Sequence, residues 1–252
     1  MLRELLARLR QGYRTLPYPQ IEPVLPDRFR GRPEFGPAAC ARDCRACAEA
    51  CPTNALAFEG DRPTLDMGRC LFCADCAAVC SPGAMRFTQD HRLAAWARED
   101  LVLQRPQPVP AGPPDDPRFR LYRKALKLRQ VSAGGCNACE ADVNVLSTIA
   151  FDLGRFGIQI VASPRHADGL LITGPVTENM KLALEKTYHA VAPPRIVIAV
   201  GACALSGGPY VNHPEVHNGA AGIVPVDLFI PGCPPHPFTI LDGLLRLKAS
   251  RA

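Results

Sequence analysis

The chain has 252 residues, 47% of them hydrophobic and 21% charged. That suffices for one large domain or two modest ones with ordinary cores, and it excludes wholesale disorder. The net charge of +5 sits on residues 1–38 (+3) and 93–130 (+4), whereas 39–92 and 131–252 each carry −1; with aromatics at 6% and no basic face on a folded module, nucleic acid is excluded as a partner.

Residues 2–10 place Leu2, Leu5, Leu6 and Leu9 on one helical stripe. Arg3, Glu4, Arg8 and Arg10 interrupt any signal-type apolar core, so no export signal is expected. No apolar run approaches the ~20 residues that span a bilayer. Segment 17–37 carries six prolines and reads as an extended arm, which completes a first region over 1–38. Residues 39–92 hold eight cysteines in two halves. A shift of 29 residues superposes Cys44 on Cys73, Cys47 on Cys76 and Cys51 on Cys80, with Ala55–Phe58 falling on Ala84–Phe87. This internal duplication predicts an α+β domain with a short strand beside each half.

A short helix is expected at 91–103. A connector over 93–119 contains the proline-rich stretch Gln104–Pro117, which reaches roughly 43 Å when extended and holds its flanks close without ordering their contact. Residues 120–252 alternate apolar runs with helical patterns. Strands are expected at Leu128–Ser132, Ile158–Ala162, Gly169–Thr173, Arg195–Val200 and Val226–Ile230, and helices near 139–153, 177–190 and 236–248. The alternation predicts an α/β domain with a parallel sheet, whose strand order the pattern leaves open.

The cysteines are spaced Cys40-x3-Cys44-x2-Cys47-x3-Cys51-Pro52 and Cys70-x2-Cys73-x2-Cys76-x3-Cys80-Ser81-Pro82. Two-residue spacings let one tight loop present three thiolates to a 4Fe–4S cubane, and in two-cluster ferredoxins the fourth cysteine serves the other cluster. The sets are then Cys40, Cys44, Cys47 and Cys80 for one cluster, and Cys70, Cys73, Cys76 and Cys51 for the other. Disulfides need an oxidising compartment that nothing here signals. Zinc uses paired knuckles and leaves the third and fourth cysteines of each half unexplained. The three-residue first gap, around Arg42-Asp43, demands a bulge beside Cys40, and Ser81 stands where proline is expected.

The remaining four cysteines, Cys136, Cys139, Cys203 and Cys233, each follow an expected strand. Loops at strand carboxyl ends gather ligands in open α/β sheets. Glycines flank all four: Gly134-Gly135, Gly201, Gly207-Gly208 and Gly232. Glycine lets a backbone approach a cubane and aim amides at its sulfurs. Buried structural thiols are the alternative. A third cluster divides twelve cysteines into three sets of four with none left over.

The stretches Gly135-Cys136-Asn137-Ala138-Cys139-Glu140, Ser163–Asp168, Gly201–Gly208 and Gly232-Cys233-Pro234-Pro235 resemble the small subunit of membrane-bound, energy-converting nickel–iron hydrogenases. That family is homologous to the 20 kDa subunit of complex I, and the resemblance covers about 120–252. Residues 1–92, including Phe29-Arg30-Gly31-Arg32-Pro33, resemble the two-cluster ferredoxin subunit of formate hydrogenlyase-type complexes. The chain thus looks like a fusion of two subunits that are elsewhere separate polypeptides.

The resemblance implies a bacterial-type 2×(4Fe–4S) ferredoxin domain followed by a flavodoxin-like α/β domain. It also implies three 4Fe–4S clusters, the last on Cys136, Cys139, Cys203 and Cys233, proximal to the active site of a partner. The function implied is an oxidoreductase subunit: an electron relay to or from a nickel–iron centre on a hydrogenase large subunit-like chain. Other partners implied are membrane-arm and electron-input subunits. The location implied is cytoplasmic, peripheral on the cytoplasmic face of the inner membrane through those partners. Complex I counterparts have two adjacent cysteines where Asn137 and Ala138 here separate Cys136 from Cys139, which favours hydrogenase. The alternatives are the equivalent subunit of a complex I-like quinone oxidoreductase or hydrogenase-derived respiratory complex, and a non-redox zinc scaffold. Glu140 matches the acidic residue near the hydrogenase proton route, or simply favours the helix dipole. His166 either tunes the cluster or caps a strand, and Arg165 and Asp168 pair with each other or with a partner's backbone.

Overall fold

A computed structural model describes residues 2–36, 44–60, 62–81, 83–104 and 114–249. Cys40, the expected bulge beside it and most of the proline-rich stretch fall outside them.

Helix α1 (Leu2–Gln11) buries none of its residues, and its four leucines are 46–80% exposed. The arm that follows crosses to the far end of the chain. Leu16 N donates to Ala150 O at 2.8 Å, and the Arg155 guanidinium donates to the carbonyls of Leu16 and Tyr18. Tyr18 is 4% exposed, packed edge-on to His91 and tilted against Phe238, with its hydroxyl donating to Asp242 Oδ1 at 3.2 Å. Tyr18 thus fastens the arm to the last helix, with Phe29 edge-on to His236 just ahead of that helix. Replacing Tyr18 with alanine is expected to cost about 3–5 kcal/mol of local stability. Trypsin should then cleave at Arg14, Arg28 or Arg30 at least tenfold faster, with the downstream domains intact; an unchanged cleavage rate would contradict the fastening.

The arm continues into β1 (Pro33–Phe35) and the cysteine-rich domain. This contains α2 (Ala46–Glu49), β2 (Leu56–Glu59), β3 (Arg62–Asp66), α3 (Asp75–Ala78) and β4 (Met85–Phe87). The one-turn helices α2 and α3 are related by the same 29-residue shift as the cysteines, as are the starts of β2 and β4. So are Asn54 and Gly83, both in the left-handed region at φ 50° and 65°. Strand β2 pairs antiparallel with β3, while β4 pairs antiparallel with β1 from the arm.

The segment 91–103 is not the helix expected. It runs extended to a single 3₁₀ turn at Glu99–Leu101 and into β5 (Val102–Leu103), which pairs with β3. Leu93, Ala94 and Ala95 are all buried in succession, which one face of a helix cannot achieve. The Ala95 backbone exchanges both hydrogen bonds with Phe229 at 2.9 Å, so sheet pairing overrides helix propensity here.

Helix α4 (Pro117–Leu121) opens on Pro117 with Asp116 as N-cap, its carboxylate accepting from Arg118 N. The α/β domain then carries β6 (Leu126–Ser132), α5 (Ala138–Val145), β7 (Ile158–Ile160), β8 (Gly169–Thr173), α6 (Glu178–Ala190), β9 (Ile196–Val200), α7 (Ala202–Ser206), β10 (Leu228–Ile230) and α8 (Pro237–Ala249). The five strands are parallel in the order β10-β9-β8-β6-β7. This is the flavodoxin-like order, whose switch point lies between β6 and β8. All residues of β8, β9 and β10 are buried, as expected for strands covered on both faces. Helix α5 stops at Val145 instead of running to 153, because Ser147 and Thr148 turn back onto Asn144 O and Val145 O and Asp152 adopts φ 48°.

The two domains share a core. Leu65, Leu93 and Leu101 pack with Ala199, Leu205 and Phe229. Ser206 Oγ donates to Gly68 O at 3.0 Å, and Arg246 Nη1 to Ala94 O at 3.1 Å. The Ala95–Phe229 pairing, the arm and this apolar seam therefore order the contact that the connector alone leaves open.

Candidate metal centres

In the first domain Cys70 and Cys76 are buried, Cys47, Cys51, Cys73 and Cys80 half-buried and Cys44 exposed. Cys47, Cys51, Cys70, Cys76 and Cys80 all pack into one apolar cluster with Leu56, Leu65, Met67 and Phe72. A small enclosed cavity is lined by Cys51, Cys70, Cys73 and Cys76. Backbone amides point at sulfur: Ala55 N donates to Cys51 Sγ at 3.2 Å, and Phe72 N to Cys70 Sγ at 3.3 Å. Burial pushes the Cys70 thiol up to about 12, with Cys76, Cys51 and Cys73 adding to the rise. Cys76 is pushed up to about 11 by burial, then by Cys73, Cys51 and Cys47. Cys70 and Cys76 thus each stand within electrostatic reach of Cys51 and Cys73 and of one another.

The second domain brings Cys136, Cys139, Cys203 and Cys233 to one place. Each lies just beyond the carboxyl end of a strand: the first two after β6, Cys203 after β9, Cys233 after β10. Cys139 is buried in the first turn of α5, and Asn137 at φ 70° reverses the chain so that Cys136 stays exposed. Burial raises the Cys139 thiol first, followed by Cys203, Glu140, Cys233 and Cys136. The Cys203 thiol rises to about 11 for the same reasons, with Cys233 and Cys136 next after burial. Burial and then Cys136 raise Cys233. The helix α7 that carries Cys203 gave no periodic signal, because one turn is too short for one.

Two glycines make this approach feasible. Gly201 sits at φ +90°, and a Cβ there would lie 2.5 Å from Cys139 Sγ; at Gly208, φ +55°, it would lie 2.9 Å from Cys203 Sγ. Both positions require a residue without a side chain. Thiols gathered in low-polarity surroundings keep their protons unless metal charge replaces them, so the donor sets fit a polynuclear iron centre. Among the described residues no group of three or more Cys, His, Asp or Glu side chains is placed to hold a single metal ion. In a 4Fe–4S core each iron takes one thiolate.

The raised thiols have a testable consequence in the iron-free chain. Their folded pKa values exceed the ordinary value near 9, so above pH 9 the folded state binds more protons than the unfolded one. Stability is full below about 9 and is lost as pH climbs through about 11–12. The urea midpoint of iron-free protein should fall across that window; a flat midpoint would contradict thiol burial.

The other predicted polar residues make the following contacts. Asp168 accepts from Lys127 N at 2.7 Å and so ties a loop to β6. The Ser163 hydroxyl, not His166, caps the 3₁₀ turn Pro164–His166, and His166 is exposed. Glu140 is buried and bonded to Ser132 and Thr173. Sequence reading missed two elements near the centres: Ser206, which joins the domains, and Arg30, which donates to Phe72 O at 3.1 Å beside the second cysteine loop.

Comparison with known proteins places both halves. Residues 136–247 match the family of the NADH ubiquinone oxidoreductase 20 kDa subunit, and residues 33–84 match the 4Fe–4S dicluster domain. The probable membrane-bound hydrogenase subunit mbhJ of Pyrococcus furiosus is 43% identical over 115 residues, which is 46% of this chain and 69% of that protein. Formate hydrogenlyase subunit 7 of Escherichia coli is 43% identical over 125 residues, 50% of this chain and 49% of that protein. An NADH-quinone oxidoreductase subunit of Phocaeicola vulgatus is 41% identical over 113 residues, 44% of this chain and 57% of that protein. An iron–sulfur oxidoreductase subunit is what the two family matches have in common. The chain belongs to the NADH ubiquinone oxidoreductase 20 kDa subunit family, with a 4Fe–4S dicluster domain fused ahead of it.

Proposed function

We propose that this chain is the electron-relay subunit of a membrane-associated nickel–iron hydrogenase complex of the formate hydrogenlyase type. Three 4Fe–4S clusters are held by Cys40, Cys44, Cys47 and Cys80, by Cys70, Cys73, Cys76 and Cys51, and by Cys136, Cys139, Cys203 and Cys233. When bound, these clusters supply one-electron carriers between an external donor and a large subunit with a nickel–iron centre. The chain's own residues fix the spacing of the thiols, keep water from them and aim amides at sulfur. The observation that carries the reading is the turn Cys136-Asn137-Ala138-Cys139. Two residues separate the ligands, and the left-handed Asn137 leaves Cys136 facing outward beside buried Cys139. The chain is similar to the mbhJ and formate hydrogenlyase proteins and, at nearly the same identity, to NADH-quinone oxidoreductase subunits, so the choice between them rests on this turn.

The complex sits on the cytoplasmic face of the inner membrane, and this chain reaches it through membrane-arm and electron-input partners. Among the described residues no helix is long and apolar enough to cross a membrane. Metal analysis of the intact complex, captured through this chain, tests the assignment. Nickel equimolar with this chain is expected; a nickel-free complex that reduces quinone would give the function to the alternative.

Helix α1 is the expected docking element. A ten-residue helix is marginal alone in water, and here no residue of it is buried. Deleting residues 1–12 should weaken co-purification of the partner subunits several-fold while iron per chain stays constant. Unchanged assembly would remove the idea.

A further inference from the structure

Glu140 is 6% exposed and follows Cys139 in the first turn of α5. Its Oε1 accepts two hydroxyl hydrogen bonds, from Ser132 Oγ at 2.6 Å and from Thr173 Oγ1 at 2.6 Å. Ser132 is the last residue of β6 and Thr173 the last of β8, and the two are register partners in the sheet. Just beyond them Ala133 N donates to Thr173 O at 2.8 Å, and Thr177 N donates to Ala133 O at 3.2 Å. One carboxylate oxygen therefore ties the carboxyl ends of two neighbouring strands to the helix turn that bears Cys139. Both distances lie at the short end of the range for O–H···O hydrogen bonds. The Thr173 hydroxyl has one proton to give, and its other neighbour, Val131 O, lies at 3.4 Å.

We infer that Glu140 is a positioning residue: anchored on Ser132 and Thr173, its carboxylate oxygen fixes the Cys136–Cys139 turn against the sheet. This differs from both roles its sequence position suggests. A proton carrier needs a carboxyl that gains and loses a proton, whereas the anchoring seen here needs only an acceptor oxygen at Oε1. A dipole partner needs only charge, but here an acceptor is needed at one point. The inference rests on the proposed third cluster at Cys136, Cys139, Cys203 and Cys233.

The test compares Glu140→Gln, Glu140→Ala and Thr173→Val in the assembled complex, reading iron per chain, the electron paramagnetic resonance signals of the dithionite-reduced clusters, and donor-driven turnover. Glutamine keeps the acceptor oxygen and removes the proton-carrying group. Glu140→Gln should keep the wild-type iron content and all signals, with turnover within about threefold. Glu140→Ala should lose the third signal and about one third of the iron. Thr173→Val should weaken the same signal and leave the other two unchanged. If Glu140→Gln keeps its iron but loses turnover more than about tenfold, the residue carries protons and the inference fails. If Glu140→Ala keeps full iron and an unaltered spectrum, no positioning role exists. Should Glu140→Ala fail to accumulate, the glutamine and valine variants still decide. A wild-type chain that lacks the third signal overturns the ligand assignment instead, and so separates the two failures.

Discussion

Replacing Cys203 with serine is expected to abolish hydrogen evolution driven by the physiological donor while the clusters of the first domain remain reducible by dithionite. Cys203 sits on the one-turn helix α7, half-buried and electrostatically coupled to Cys233, Cys136 and Cys139. A serine hydroxyl there is a poorer ligand, and its alkoxide is harder to form than a thiolate. Loss of groups that only support a metal ligand costs about 10–100-fold, so losing the ligand itself should cost more than about 100-fold. The first domain has its own thiols and core, so its clusters should be spared. Retained donor-driven turnover, with the third cluster shown to be absent, would mean that the relay bypasses this domain.

Gly201→Ala is expected to remove the same cluster without replacing a ligand. The new methyl group would lie 2.5 Å from Cys139 Sγ, and the backbone at φ +90° disfavours any side chain. Strain and overpacking together are expected to cost about 2–5 kcal/mol. Gly60→Ala is a positive-φ control without a contact, because Gly60 has φ +62° and its Cβ would meet nothing within 4 Å, whereas Gly201 combines φ +90° and ψ 152° with the sulfur contact. Gly60→Ala should lower stability by about 1–2 kcal/mol and leave iron intact. Gly201→Ala should lose about one third of the iron. Equal behaviour of the two variants would show that the sulfur contact is unimportant.

Where a feature repeats or alternates, the sequence carried it well. The 29-residue duplication predicted paired halves, and α2 with α3 and β2 with β4 follow that offset. Apolar runs between helical patterns located all five strands of the parallel sheet to within a few residues. Their order was hidden, because parallel strands buried on both faces look alike in composition. The failure at 91–103 has the same origin as the hidden domain contact. Ala95 pairs with Phe229, more than a hundred residues away, and no local pattern encodes that choice. Tyr18 is similar: a proline-rich arm gave no sign that its one tyrosine lies beside Asp242 in the core of the other domain. The glycines around the last four cysteines were legible as a permissive backbone. That the Glu140 carboxylate bridges Ser132 and Thr173 was not, since it depends on the β6–β8 register.

Iron and acid-labile sulfide per chain, measured on anaerobically purified protein together with the signals of the dithionite-reduced clusters, test the central claim most directly. Three four-iron clusters give about twelve irons and about twelve sulfides per chain, with three reducible centres. About eight irons, two centres, and Cys136, Cys139, Cys203 and Cys233 all open to alkylation would contradict it.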